Sequence, residues 1–350
     1  MRQSNRPTQL RVAGLNIQPA LLLAPMEGLT DRPFRRVVRG LGGVGLPCTE
    51  FVASEGLIRD VPRIIAMARL DPDERPGAIQ IYGRRPESMA QAARAAVDLG
   101  ADVVDINMGC PSRKVCAHSG GAALLREPQL VREIVAAVRA AVAGPLTVKI
   151  RTGWSLDERN GVEIARICEG EGADALTVHW RTRMEAFKGA MQPERIGEIV
   201  QAVAIPVVGN GDVVDIPSAE RMLDSSGCHG LMLGRGAVRN PWLLKQLACW
   251  LEGAPVATPT MEERHALVLD YMQVLEAGCH TEKGALGRTK KFCGYYTHGL
   301  PHGGPLRQAV FHSNGMDEVR GHLARYFEAQ AAREDRGNEP DSSDNLADGA

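Results

Sequence analysis

Eight short β-rich apolar runs, separated by stretches with helical periodicity, constrain the fold of this chain more than any other feature. They fall at Leu21–Met26, Val44–Phe51, Ala78–Gly83, Val103–Gly109, Leu146–Arg151, Ala175–Trp180, Pro206–Gly211 and Gly230–Arg235. Continuous apolar runs suit parallel strands covered on both faces. The connections carry helix signals. PESMAQAARAAVDLG has Pro86 in its first turn, apolar Met89, Ala93 and Val97 at near-helical spacing, and Gly100 as the stop. EPQLVREIVAAVRAAVAGP repeats the plan and ends at Gly144 and Pro145. Eight strand–helix units in about 230 residues match an α/β (β/α)8 TIM barrel, whereas a doubly wound sheet usually stops at five or six strands.

Beyond the last run the pattern becomes purely helical. Thr260 to Ala277 opens on a capping box, Thr260 with Glu263, and stops at Gly278; Met316 to Ala332 is again helical. The expected organisation is an N-terminal lead-in over 1–20, a barrel over 21–245, a small all-α helical domain over 246–331 and an acidic tail over 332–350. From Glu334 onward six carboxylates stand against Arg336 alone, among Gly, Pro, Ser and Asn. Such a segment cannot bury apolar surface and is expected to be disordered. It also hides a net basic remainder behind a formal charge of −1.

With 44% hydrophobic and 24% charged residues the composition is that of a soluble globular chain. The start MRQSNRPTQL lacks the apolar core of a signal peptide, and no run approaches the roughly 18 apolar residues of a membrane span. A cytoplasmic protein without a membrane segment is expected. Eight cysteines occur without a CxxC pair, which argues against a metal site or a redox disulfide and fits a reducing compartment.

Barrel active sites lie at the C-terminal ends of the strands, and here those ends are polar. The first closes as APMEG; the others carry Gln80, Asn107 with Cys110, Lys149 with Arg151, His179 and Asn210. Each would need a partner to offset its desolvation, so a purely structural barrel has no reason to gather them at one mouth. GNGD and LGRGA follow the seventh and eighth runs, where barrels often hold phosphate on backbone amides, with Arg235 adding charge. A lysine within LTVKIR is costly unless it faces an anion or a neighbouring strand carboxylate. Cys110 stands where a strand yields to a glycine-rich loop, DINMGCPSRKVCAHSGG, and not in the middle of an apolar strand.

LLLAPMEGLTDRPFR, IQIYG, DINMGCPSRKV, GGAALL, VKIRTGW, HWRTR, NGD and MLGRGA stand in the order seen in the bacterial tRNA-dihydrouridine synthases, and the chain resembles that family from Leu21 to Phe327. NMGCP and RTGW are the most specific of these segments. The resemblance implies FMN as cofactor, NADPH or NADH as electron donor, and a uridine of tRNA as the group reduced. It implies that hydride goes from reduced FMN to C6 and that the thiol of Cys110 protonates C5. A thiol with an unperturbed pKa near 8.5 is mostly protonated at neutral pH and is able to donate. Pro25 and Met26 would line the flavin, Gln80 would meet its pyrimidine edge, Lys149 would stabilise the reduced anion and His179 would reach its polar edge or phosphate arm. Asn210, Gly211, Gly234 and Arg235 would hold the phosphate. Asn107 would orient the uracil, and Arg151, Arg181 and Arg183 would contact cofactor or RNA. Two positions depart from the family pattern: Trp180, where a small residue is usual, and Cys116, where asparagine is common. The large ring of Trp180 would either crowd the phosphate arm or point into the helix layer.

Contact with RNA is expected from RTKKFCGYY, where Arg288, Lys290 and Lys291 precede Phe292, Tyr295 and Tyr296. On spacing alone the same stretch fits an amphipathic helix with a solvated basic face and core aromatics. A uridine must leave its stack to reach a barrel mouth, which gives the helical domain a gripping role. Two other functions remain open at this level: a flavin barrel acting on a small molecule, as dihydroorotate dehydrogenases do, and a catalytically silent RNA-binding protein. Neither the uridine position nor a protein partner is legible, and a monomer is the working expectation.

Overall fold

The computed structural model describes residues 6–117, 120–279, 281–298 and 300–337. Two compact units divide the chain, Met1–Val256 and Ala257–Ala350. Among its described residues the first contains eleven strands: β1 (Leu10–Val12), β2 (Leu15–Ile17), β3 (Leu21–Leu23), β4 (Leu46–Pro47), β5 (Val52–Ala53), β6 (Ala78–Tyr82), β7 (Val103–Met108), β8 (Leu146–Arg151), β9 (Ala175–His179), β10 (Val207–Asn210) and β11 (Gly230–Leu233).

Nine of these form one parallel sheet in the order β4-β3-β11-β10-β9-β8-β7-β6-β5. Its two edges, β4 and β5, are halves of the single run expected at Val44–Phe51. The first half pairs with β3, Leu22 beside Leu46, and the second with β6, Val52 beside Ile81. A bridge between Cys48 and Ala78 joins them, so the sheet closes into an eight-stranded ring with its second strand broken. The helix Pro86–Asp98 buries Met89, Ala92, Ala93 and Ala96, while Val97 lies outside the apolar stripe and is 44% exposed. Pro128–Ala141 buries Val131, Ile134, Val135 and Val138, spaced three, one and three residues apart as a helix face requires.

The lead-in has structure that the sequence reading did not anticipate. β1 and β2 form an antiparallel hairpin whose turn residues Ala13 and Gly14 have φ of 46° and 83°, the left-handed pair of a type I′ turn. Leu10, Val12 and Ile17 pack with Ala20, Leu22, Leu46, Cys48, Ala78, Val103, Ala175 and Val208, which lie at or near the strand starts. The hairpin therefore stoppers the N-terminal end of the ring with apolar side chains.

The boundary expected at 245 falls inside the helix Leu243–Leu251, which belongs to the first unit. The second unit is helical in its described residues: Met261–Gly278, Glu282–Tyr296, Gly303–His312 and Met316–Gly337. Its first helix opens on the expected capping box, with Glu263 N donating to Thr260 Oγ1 at 3.1 Å and Thr260 N donating to Glu263 Oε2 at 2.8 Å. Met316–Gly337 runs into the segment expected to be an acidic tail; the rest of that tail, from 338 on, lies outside the described residues.

Candidate active site

Register fixes which side chains share the interior. Gln80 stands beside Asp105 and Asp105 beside Thr147; Asn107 beside Lys149 and Lys149 beside Thr177; Arg151 beside His179 and His179 beside Asn210. Successive inward positions two residues apart thus climb from apolar to polar toward the strand ends.

Asp105, Gln80 and Asn107 form a buried chain of hydrogen bonds. Thr147 Oγ1 and Gln80 Nε2 each donate to the Asp105 carboxylate at 2.5 Å, and Asn107 Nδ2 donates to Gln80 Oε1 at 2.7 Å. Asn107 Oδ1 then accepts the backbone N–H groups of Gly109 at 3.1 Å and Cys110 at 3.0 Å. An ionised carboxylate only accepts, so it turns the amide of Gln80 to present its N–H and leaves the Gln80 oxygen to Asn107. Burial raises Asp105 to about 6, against the lowering effect of Gln80 and Thr147, so the carboxylate is ionised at neutral pH.

The Cys110 loop is anchored from its other side by Arg151, whose Nε donates to Gly109 O at 2.8 Å and whose Nη1 donates to Thr182 O at 2.8 Å and Ala186 O at 3.2 Å. Cys110 itself is half-buried, and burial pushes its thiol above the ordinary value. At neutral pH it is a proton donor, not a thiolate nucleophile. Cys116 faces the same loop, its Sγ 3.5 Å from Cys110 O.

Cations dominate the facing wall. Lys149 Nζ donates to the amide oxygen of Asn210 at 2.8 Å, not to a carboxylate. Burial, and then Arg151, lower Lys149 to about 8. Asp212 binds two arginines at once, Arg181 at 2.6 Å and Arg235 at 3.2 Å. His179 is held neutral by burial and by Arg151, Lys149, Arg181 and Arg235. Its Nδ1 accepts the Arg181 backbone N–H at 3.2 Å, so the proton resides on Nε2 as a donor. Trp180 Nε1 and Arg181 Nη1 are buried with no hydrogen-bond partner. Unsatisfied donors amid four cations are costly unless an anionic group completes them, and a phosphate-bearing cofactor meets that requirement.

Trp180 is fully buried, with Arg181 over its ring at 4.1 Å and Arg195, from the following helix, at 5.8 Å. Gly211 meets the same ring with φ +112°, and a Cβ there would lie 2.7 Å from Trp180 Cδ1. Only glycine fits this turn.

Several expected contacts change in character. Arg151 is 2% exposed and its donors go to backbone carbonyls, so it organises loops and does not reach out to RNA. Arg181 likewise holds Lys188 O at 2.7 Å and Gly189 O at 3.1 Å. The Asn210 side chain ties Lys149 to Met232 O, and its backbone belongs to the ladder between β9 and β11, its O accepting the Trp180 N–H at 3.2 Å. Arg183 stacks over Trp154 at 4.8 Å. Pro25 is buried, and Met26 Sδ is 3.3 Å from where a Cβ of Gly234 would stand, which brings the first and eighth strand ends together. In the second unit Phe292 and Tyr296 are buried and stacked at 5.1 Å, and Tyr296 Oη donates to Arg264 O at 2.9 Å. They are core and cannot stack on bases. Lys290 is half-buried, whereas Arg288 and Lys291 are exposed on the same helix, Glu282–Tyr296. Sequence reasoning missed Asp105, Thr147 and Asp212. The signal for Asp105 was present, since it lies two residues before Asn107 and so on the same face of β7.

A closed parallel barrel with polar and cationic side chains and a cysteine loop gathered at the strand C-terminal ends has the architecture of a barrel enzyme. Residues 22–333 match the family described as Dihydrouridine synthase (Dus), and the chain belongs to that family. It is 38% identical over 293 residues to tRNA-dihydrouridine synthase B of Pseudomonas aeruginosa, covering 83% of this chain and 88% of that one. It is 40% identical over 284 residues to a probable tRNA-dihydrouridine synthase of Rhodobacter capsulatus, covering 81% and 87%. Among solved structures, a complex of 2-naphthoyl-CoA reductase with 2-naphthoyl-CoA superposes with a TM-score of 0.55 at 13% identity, over 72% of this chain and 52% of that one. That likeness concerns the fold alone. Among the described residues, no helix is long and apolar enough to cross a membrane, and no group of three or more His, Cys, Asp or Glu is arranged to hold a metal ion.

Proposed function

We propose that this chain reduces uridine to 5,6-dihydrouridine in tRNA, with FMN as cofactor and NADPH or NADH as electron donor. The observation that carries the reading is the Cys110 thiol, kept protonated by burial and fixed at the mouth by Asn107 and Arg151, beside a wall formed by Lys149, His179, Arg181 and Arg235. Family membership and the names of the relatives point the same way.

Bound FMN, once reduced, supplies hydride to C6 of the uracil. The Cys110 Sγ–H gives its proton to C5, which becomes enolate-like as C6 is reduced, and the resulting thiolate is reprotonated from solvent. Lys149 offsets the negative charge of the reduced flavin and His179 offers its Nε2–H. Gly211, Gly234 and Arg235 receive the phosphate, with Asn210 beside them holding Lys149. Pro25 and Met26 line the ring, and Gln80 offers its remaining N–H. Asn107 directs both the loop and the uracil. Arg288, Lys290 and Lys291 attract the tRNA backbone, and the protein acts in the cytoplasm. Replacing Lys290 and Lys291 by alanine should weaken tRNA binding severalfold without changing flavin content.

The direct test is the visible spectrum of the purified protein, its bleaching by NADPH, and its reoxidation under anaerobic conditions by unmodified tRNA or, separately, free uridine. A flavin spectrum recovered with tRNA alone supports the reading. A colourless protein that FMN does not reconstitute would overturn it, and equal reoxidation by free uridine would redirect it to a small-molecule substrate.

A further inference from the structure

Among the described residues of the first unit, the most exposed large hydrophobic side chains are concentrated at one place. Leu156, Met184 and Phe187 are 58%, 58% and 55% exposed, whereas Val61, Val97, Val214 and Val256 lie between 39% and 44%. All three stand in the loops that follow β8 and β9, at the mouth. The loops are laced together by Arg183 N donating to Gly153 O at 3.0 Å and Met184 N donating to Trp154 O at 2.9 Å. Apolar groups gathered on one rim, and not scattered singly, mark a contact surface.

Position and charge indicate what the rim meets. One guanidinium, that of Arg151, holds both Gly109, which precedes Cys110, and Ala186, which precedes Phe187. The backbone just before Phe187 is therefore tied to the Cys110 loop. Arg235 lies 4.7 Å from its centroid and Arg151 6.0 Å. Trp154, farther along the rim, carries Arg183 at 4.8 Å and Arg126 at 5.2 Å. Of the nearby carboxylates, Glu158 is engaged with Arg126 at 3.2 Å and Glu185 with Arg195 at 2.8 Å, while Asp157, next to Leu156, is exposed. Arg235 and Arg126 are shared with Asp212 and Glu158 and Arg151 is buried, but Arg183 makes no ion pair among the described residues, and aromatic rings beside such a guanidinium suit a polyanion that also offers flat bases, which is single-stranded or locally unstacked RNA.

From this arrangement we infer that the rim formed by residues 153–156 and 183–187 is an RNA-docking surface on the barrel itself, with Phe187 stacking on a base next to the uridine being reduced. This rests on the reading that the chain acts on tRNA. It assigns part of the grip to the mouth, where a base leaving its stack loses a neighbour that an aromatic ring replaces.

The test compares the flavin-loaded full chain with Phe187→Ala, Phe187→Leu and Phe187→Trp, measuring flavin content, reduction by NADPH, direct binding of unmodified tRNA, and reoxidation by it. The expected result is a loss of tRNA affinity on the order of tenfold in Phe187→Ala and Phe187→Leu, with recovery in Phe187→Trp and unchanged flavin content and reduction. Wild-type affinity in Phe187→Ala would overturn the inference and point to a protein partner for the rim. Loss of flavin in that variant would also overturn it, since the ring would then cover the cofactor. If wild type binds tRNA in a Phe187-dependent way but tRNA does not reoxidise it, the functional reading fails while the docking surface stands. If wild type binds no RNA, both fail.

Discussion

The two ends of the barrel are built from the same eight strands and differ in nearly everything else. At the N-terminal end the interior positions are Leu22, Leu46, Ala78, Val103 and Val208, capped by Leu10, Val12 and Ile17 from a hairpin. At the other end the same inward-facing rows carry Asn107, Lys149, Arg151, His179 and Asn210. One end lowers the free energy of the fold by removing apolar surface from water. The other holds charge and unsatisfied donors that a well-packed apolar core would exclude. The contrast teaches that stability and chemistry are separated along the strands, within each strand and not between them.

The largest break of this comparison is expected at the polar end. Cys110→Ala should slow tRNA-driven reoxidation of the reduced flavin by about two to four orders of magnitude, while flavin content and reduction by NADPH stay near wild type. Comparable reoxidation in single-turnover experiments would remove the thiol from the chemistry. At the apolar end, Ile17→Ala should cost about 2–5 kcal/mol of stability through the cavity it leaves, read by denaturant unfolding, with wild-type reoxidation in the protein that remains folded. A kinetic defect without loss of stability would show that the stopper and the site are coupled.

Asp105 lies where the two regimes meet and sharpens the comparison. Its folded pKa, about 6, is raised above the ordinary 3.8. Its contribution to stability is therefore fully present below about pH 4 and is lost as pH rises through 6. Relative to Asp105→Asn, wild type should lose roughly 3 kcal/mol between pH 4 and pH 7. Unfolding curves of both proteins across that range test this, and parallel pH profiles would mean that the carboxylate is not desolvated as its surroundings imply.

Much of the apolar end was legible in the sequence, because continuous β-rich runs and helical stripes such as Val131, Ile134, Val135 and Val138 report their own burial. That Cys110 stands in the loop after β7 was legible from the glycine and proline that flank it at a strand end. What sequence could not give was the use to which long side chains are put. Arg151 and Arg181 look like ligands for substrate, but each is buried and bonded to backbone carbonyls, those of Arg151 on the neighbouring strand loops and those of Arg181 in its own loop. Phe292 and Tyr296 were open to both readings. Their spacing with Ala285 and Thr289 on one face of the helix Glu282–Tyr296 decides for the core. The hairpin was missed although Leu10, Val12, Leu15 and Ile17 alternate around a two-residue turn, because each strand is only three residues long.

The broken second strand gives the ring a seam. β4 and β5 are two residues each, one on either side of the gap, and a single bridge from Cys48 to Ala78 spans them. Fewer ladder hydrogen bonds mean a lower local opening free energy, so backbone amides of residues 49–51 are expected to exchange with deuterated solvent before those of β7 or β8. Thr49 and Gln80 meet at that seam, the Thr49 hydroxyl accepting the Gln80 N–H at 3.3 Å. Breathing of the ring is thus expected first in the segment next to Gln80, and the wall bearing Lys149, paired along its length with β7 and β9, is expected to exchange last.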